Sequence, residues 1–159
     1  MKSLISRTRR NHGLEHATLN LLAKIHPKQP FAGHSDTGGF WILGEIPSNE
    51  LSQIISHALE KLRSGQSNLA IHQNCGTNLL VSGFAAGLAG AVGLLGVGER
   101  TRDKFERIPL ITTLSVLALL ISKPLGPIVQ KKLTTSGDPG SLKIVSIAKH
   151  TLNGLPAHR

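Results

Sequence analysis

The 159 residues contain no tyrosine, aromatics make up 3%, and cysteine and tryptophan occur once each. One cysteine, Cys75, excludes an internal disulfide and leaves a thiol that can serve as a metal ligand. Without clustered aromatics there is no platform on which bases could stack. The 18 Lys and Arg, set against 9 Asp and Glu, are spread over both termini and a central loop. No nucleic acid is expected as a partner. A net charge of +9 flanking apolar segments suits an anionic lipid surface instead.

Charge is also missing by region, from Thr77 to Gly98 and from Ile108 to Ser122. Leu79–Val97 gives nineteen residues without an ionisable group, about the length that crosses a hydrocarbon core. Ile108–Val129 supplies a second span if Lys123 lies near an interface. Between them GERTRDKFER is too polar for lipid and too short for a domain, which predicts a transmembrane helical hairpin over 78–130 with both termini on one face. That loop holds 4 of the 18 Lys and Arg and the other 14 lie outside it; the charges flanking the spans are nearly balanced, and the positive-inside rule favours cytoplasmic termini. No basic leader with an apolar core and cleavage site precedes the first span, and no secretory signal is expected. Neither span carries a carboxylate for a proton or ion relay. Gly87, Gly90, Gly93 and Gly96 recur every three residues, and Gly83 with Gly87 makes a small-xxx-small pair, a stripe of the kind that lets membrane helices approach closely.

Residues 11–77 read as an α+β head in the order helix, strand, strand, helix, strand, after a basic segment at 1–10. Asn11 is an expected N-cap, and Leu14, Ala17, Thr18, Leu21, Leu22 and Ile25 recur at helical spacing until Pro27. Phe31–Ile46 predicts a hairpin turning at Asp36–Gly39. A second helix follows Pro47 and Ser48, with Leu51, Ile54, Ile55, Ala58, Leu59 and Leu62 on one face, and Asn68–His72 predicts the third strand. The tail at 131–159 is basic, and Ser141–Leu155 predicts an amphipathic surface helix or a helix packed on the head.

Two motifs carry the chemistry. His12-Gly13-Leu14-Glu15-His16 sets two imidazoles four residues apart on a helix, with a glutamate before the second. It resembles the inverted zinc motif in which the histidines hold the metal and the glutamate acts on a metal-bound water. His72 and Cys75, three residues apart before the first span, offer a nitrogen and a sulfur. Two separated pairs are a common source of four zinc ligands. On a helical wheel His12, Glu15 and His16 share a face away from the main apolar stripe, which fits either a metal centre or a solvated polar face. His34, in the hairpin, is a further possible ligand or substrate contact.

HGLEH followed some sixty residues later by HQNCGT and an apolar span resembles a cyanobacterial family of small membrane proteins of unknown function. It is also similar to YqhQ-like bacterial membrane proteins, which pair the same two elements. The matching positions are His12, Gly13, Glu15 and His16, then His72, Cys75, Gly76 and Thr77, within a layout covering residues 10 to 98. The resemblance implies a membrane protein with a paired motif and names no reaction. Inverted-motif zinc peptidases draw a further glutamate ligand from a later helix, and Glu60, Glu99 and Glu106 do not match that context.

These readings predict a membrane-anchored metal-binding protein. In its catalytic form it is a hydrolase in which His12, His16, His72 and Cys75 supply zinc ligands and Glu15 is the general base. Four protein ligands would close the site and make it structural, whereas three would leave a position for water. The alternative is a non-enzymatic assembly or accessory subunit of a larger membrane protein complex.

Overall fold

A computed structural model describes residues 4–152 and 154–159. They form two compact units, one from the residues up to His72 together with Lys131–Arg159, the other from Gln73–Gln130.

The first unit is built on α1 (Leu4–Ile25), which starts seven residues before the expected cap at Asn11. Residues 1–3 of the basic segment lie outside the described residues. Pro27 follows the last helical turn, where its missing N–H and fixed φ end the helix. The hairpin forms as expected from β1 (Ala32–Ser35) and β2 (Phe40–Leu43), antiparallel, with Ala32 opposite Leu43 and Ser35 opposite Phe40. Asp36 accepts from the Gly38 and Gly39 amides, an Asx-type turn. Helix α2 (Ser48–Arg63) buries Leu51, Ile54, Ile55, Ala58, Leu59 and Leu62, the six residues of the expected stripe. They pack with Leu14, Ala17, Leu21 and Leu22 of α1 and Ile42 of β2 in one core.

Three expectations are corrected here. The segment read as a third strand forms a 3₁₀ turn at Ser67–Ala70, because its carbonyls bond to α1 side chains rather than to a neighbouring strand. The tail is not an amphipathic helix. It forms β3 (Lys149–Leu152) and β4 (Leu155–His158), which complete a four-stranded sheet in the order β1-β2-β4-β3. Ile42 pairs with His158 and Leu43 with Ala157. Third, the motif face of α1 is not solvated: Glu15 is 3% exposed and His16 1%, and His12 is half-buried.

In the second unit, α3 (Gly76–Gly93) and α5 (Ile108–Ser122) pack antiparallel. Gly93 and Gly90 lie against Ile111, Ser115 donates to the Ala86 carbonyl at 3.1 Å, and Ser122 donates to Ser82 at 3.2 Å. Gly90 and Gly93 thus use the small-residue stripe for close packing, while Gly83 and Gly87 face open space. Helix α4 (Thr101–Glu106) occupies the polar loop. Among the described residues α3 alone is a helix long and apolar enough to cross a membrane, about 27 Å at 1.5 Å per residue. The second run is broken. After Ser122 the chain bends by 51° at Lys123 and Pro124 before α6 (Leu125–Val129) and a π turn to Thr134. Asn78, in the first turn of α3, accepts from the buried Gln130 amide at 2.5 Å, and Gly126 lies against Asn78 without room for a side chain.

Two outcomes follow for the first unit. A methyl group at Gly13 would overlap the Ser136 carbonyl, which is fixed because the Ser136 amide bonds to the Arg9 carbonyl at 2.9 Å. Gly13→Ala therefore destabilises by about 1–3 kcal/mol in chemical denaturation. His158 is 2% exposed, and burial, then Lys149 and His150, pushes its pKa below the ordinary value. The unfolded chain takes up a proton there below about pH 6.5 that the folded sheet refuses, so this contribution to stability is lost as pH falls below that value. The fall in melting temperature between pH 7 and 5 should be shallower for His158→Phe than for the native chain. Parallel curves would assign the acid sensitivity elsewhere.

Candidate metal centre

Helix α1 carries His12 and His16 one turn apart, with ring centroids 4.3 Å apart and the rings edge to face. The short segment after the 3₁₀ turn brings His72 to the same place, its ring centroid 5.6 Å from that of His16. Three of the four expected ligands thus converge within one unit, although nearly sixty residues separate His12 from His72.

Each of the three rings is held in the same way. His12 Nδ1 donates to the Thr134 carbonyl at 3.0 Å, His16 Nδ1 to the Ala70 carbonyl at 2.9 Å, and His72 Nδ1 to Asn20 Oδ1 at 2.9 Å. Asn20 uses its Nδ2 to donate to the Leu69 and Ile71 carbonyls, both at 2.9 Å, which fixes the oxygen towards His72. An oxygen acceptor on Nδ1 requires the proton there, so Nε2 is the lone-pair nitrogen of each neutral ring. Histidines that bind metals are commonly oriented by this Nδ1–H···O bond. The pattern selects a tautomer, and it does so three times.

Cys75 is three residues beyond His72, at the N-cap of α3, where its sulfur accepts from the Thr77 amide at 3.5 Å. A helix N-terminus favours thiolate over thiol. Glu15 takes a different neighbour. Its Oε2 accepts a short hydrogen bond from Ser35 Oγ, and its carboxylate lies against Gly33 of β1, where a side chain would collide with it. His34, between those two residues on β1, is exposed and pairs in the ladder with Trp41.

Sequence reasoning missed the residues that orient this centre. Asn20 carries no motif, and the carbonyls of Ala70 and Thr134 belong to any residue. Asn11, expected as a cap, instead sits within α1 and donates to the Asp36 carbonyl at 2.8 Å, tying the helix to the hairpin turn.

The profile of DUF6391, a domain of unknown function, matches residues 7–147. The chain belongs to that family. An uncharacterised protein of the cyanobacterium Picosynechococcus sp. is 33% identical over 161 residues, covering 94% of this chain and 76% of the relative. The resemblance to a cyanobacterial-type family of unknown function is thereby borne out. No solved structure matches the chain significantly. The DUF6391 match includes both histidine motifs and the Asn20 support.

Asn20→Ala removes three hydrogen bonds at once and leaves the Leu69 and Ile71 carbonyls to find other donors. A loss of about 1–3 kcal/mol in unfolding free energy is expected. An unchanged denaturation midpoint would show that the Ser67–His72 segment is held by other contacts.

Proposed function

We propose that this DUF6391 member is a membrane-anchored metal-binding protein whose ligands are His12 and His16 with His72 and Cys75, the two motif pairs of the sequence. The observation that carries the reading is the common tautomer of the three clustered histidines, each with Nδ1 bonded to oxygen and Nε2 holding the lone pair. Three imidazoles brought together and each oriented through Nδ1 by an oxygen acceptor are the arrangement that metal-binding histidines commonly show. A nitrogen-rich set with one thiolate favours zinc or another divalent transition metal over calcium or magnesium, which prefer oxygen.

Anchoring rests on α3, with exposed Leu79, Leu80, Phe84, Leu88 and Val92, and on the bent α5–α6 pair as the second crossing. The excess of basic residues outside the polar loop supports termini on the cytoplasmic side, facing anionic lipid. In the hydrolytic version zinc supplies a polarised water and Glu15 takes its proton. In the other version the metal is structural and the protein is an accessory subunit of a membrane complex, for which the same exposed apolar residues provide a docking face.

Metal analysis of the detergent-purified full chain should give about one zinc per chain, lost in His16→Ala and in Cys75→Ser and retained in His34→Ala. Circular dichroism separates ligand loss from misfolding. Native protein without metal after expression in zinc-supplemented medium would rule the site out. Glu15→Gln divides the two versions: metal kept and hydrolysis of a peptide or ester panel abolished identifies the base, whereas metal, fold and cellular function all kept identifies a structural centre. Loss of both metal and fold would make Glu15 a ligand or a required buried partner.

A further inference from the structure

The first unit contains a cavity of about 540 Å³, lined by α1, β2, β4 and the extended segment Ser141–Ala148, and none of the proposed metal ligands borders it. Its size falls within the range of small-molecule sites, about 300–1,000 Å³. Its accessible apolar lining is Phe40, Ile144, Val145 and Ile147, backed by the buried Leu14, Ile42, Leu51 and Ile55. Arg7, Arg10, Lys143 and Arg159 also line it, and no Asp or Glu does. Asp138 lies 3.8 Å from Arg10 and Asp36 2.7 Å from Arg159, while among the described residues no ion pair engages Arg7 or Lys143. The cavity is therefore positive after internal pairing.

A second observation points to an occupant. His158 lines the same cavity and is 2% exposed, with its Nε2 3.1 Å from Ser48 Oγ. Its Nδ1 is buried and has no hydrogen-bond partner among the described residues. Buried ring nitrogens are nearly always satisfied, and an orphan at a cavity wall marks where a ligand atom belongs. With Nε2 accepting from the Ser48 hydroxyl, Nδ1 bears the proton and calls for an acceptor.

We propose that this cavity binds a small amphiphilic anion, a carboxylate carried on an aliphatic chain. The chain lies against Phe40, Ile144, Val145 and Ile147, and the carboxylate accepts from His158 Nδ1–H in the positive field of Arg7, Arg10, Lys143 and Arg159. An inorganic anion would leave that accessible apolar lining uncovered, and a neutral lipid would leave the unpaired cations unused. This site does not depend on the metal reading, and it gives a membrane-anchored head a means to respond to fatty acids or similar acyl acids.

The test uses the full chain in nanodiscs of zwitterionic lipid and equilibrium dialysis against labelled decanoate, with empty discs subtracted. Saturable binding near one decanoate per chain is expected, weakened roughly tenfold in the charge-reversed Arg7→Glu/Lys143→Glu variant and for decanol in place of decanoate. Both substituted residues are exposed, and an unchanged melting temperature confirms that the variant is folded. Binding no greater than that of empty discs overturns the proposal, as does equal affinity for decanol or an unaffected charge-reversed variant. Acetate competing as well as decanoate would overturn the acyl assignment by reducing the site to a simple anion pocket.

Discussion

A buried helical segment must find a partner for every polar group it carries, and the middle of α1 carries many. Ten of its residues from Asn11 to Leu22 are buried, among them Asn11, Glu15, His16 and Thr18. Thr18 donates to the Leu14 carbonyl of its own helix, and the others are answered by other parts of the same unit. Arg9 and His12 reach the carbonyls of residues 132–135, Asn11 and Glu15 reach the hairpin, and His16 and Asn20 reach the carbonyls of residues 69–71. An unmade hydrogen bond at any of these positions would cost more than the net gain of an average one. The helix therefore dictates where the hairpin, the 3₁₀ turn and the segment after α6 must run, and the histidine cluster is a product of the same requirement.

Where one face of an element is buried and the other is wet, the sequence was legible. Helix α2 and the β1–β2 hairpin belong to this class, the first through its apolar period and the second through its turn residues. Helix α1 was legible in its apolar stripe and its end at Pro27, but its polar face was not, because a wheel assumes that polar residues face water, and here Asn11, His12 and His16 face carbonyls. The 3₁₀ turn was misread as a strand for the related reason that the acceptors for its backbone lie on side chains distant in sequence. The tail offered a signal that its apolar pattern masked: Asn153-Gly154 separates Leu152 from Leu155, and Asn-Gly between two such segments marks a tight hairpin. Gly154 has φ +81°, in the region that favours glycine. Of the site, ligand identities were readable as spaced His and Cys, while the carbonyls and Asn20 that orient them were not.

The second unit follows a different logic. Its helices expose most of their leucines, and the polar contacts between them are few and small: Ser115 to a carbonyl, Ser122 to Ser82, Gln130 to Asn78. In water such a pair would leave large apolar faces unburied. In lipid those faces are solvated, and close glycine contacts with interhelical hydroxyl bonds suffice to hold helices together. The break at Lys123 and Pro124 has a local cause, since proline contributes no amide to the ladder and crowds the preceding turn.

The position of Glu15 narrows what the paired motif can mean. In a hydrolytic centre the carboxylate must exchange a proton with water during each turnover, which favours an oxygen open to the reacting site and a pKa near the working pH. Here Oε2 already accepts from Ser35, and Gly33 gives the carboxylate its space by having no side chain. Those contacts bind the motif glutamate to the hairpin, just as Asn11 and Asp36 bind the start of the same helix turn to it. Four of the motif's positions thus carry a structural demand: a glycine for the approach of Ser136, a glutamate for the hairpin, and two histidines for the carbonyls of Thr134 and Ala70. Spacing alone cannot separate that demand from catalysis, because both require the same five letters. What sets these histidines apart from scattered structural ones is their closeness, with ring centroids 4.3 Å apart from His12 to His16 and 5.6 Å from His16 to His72.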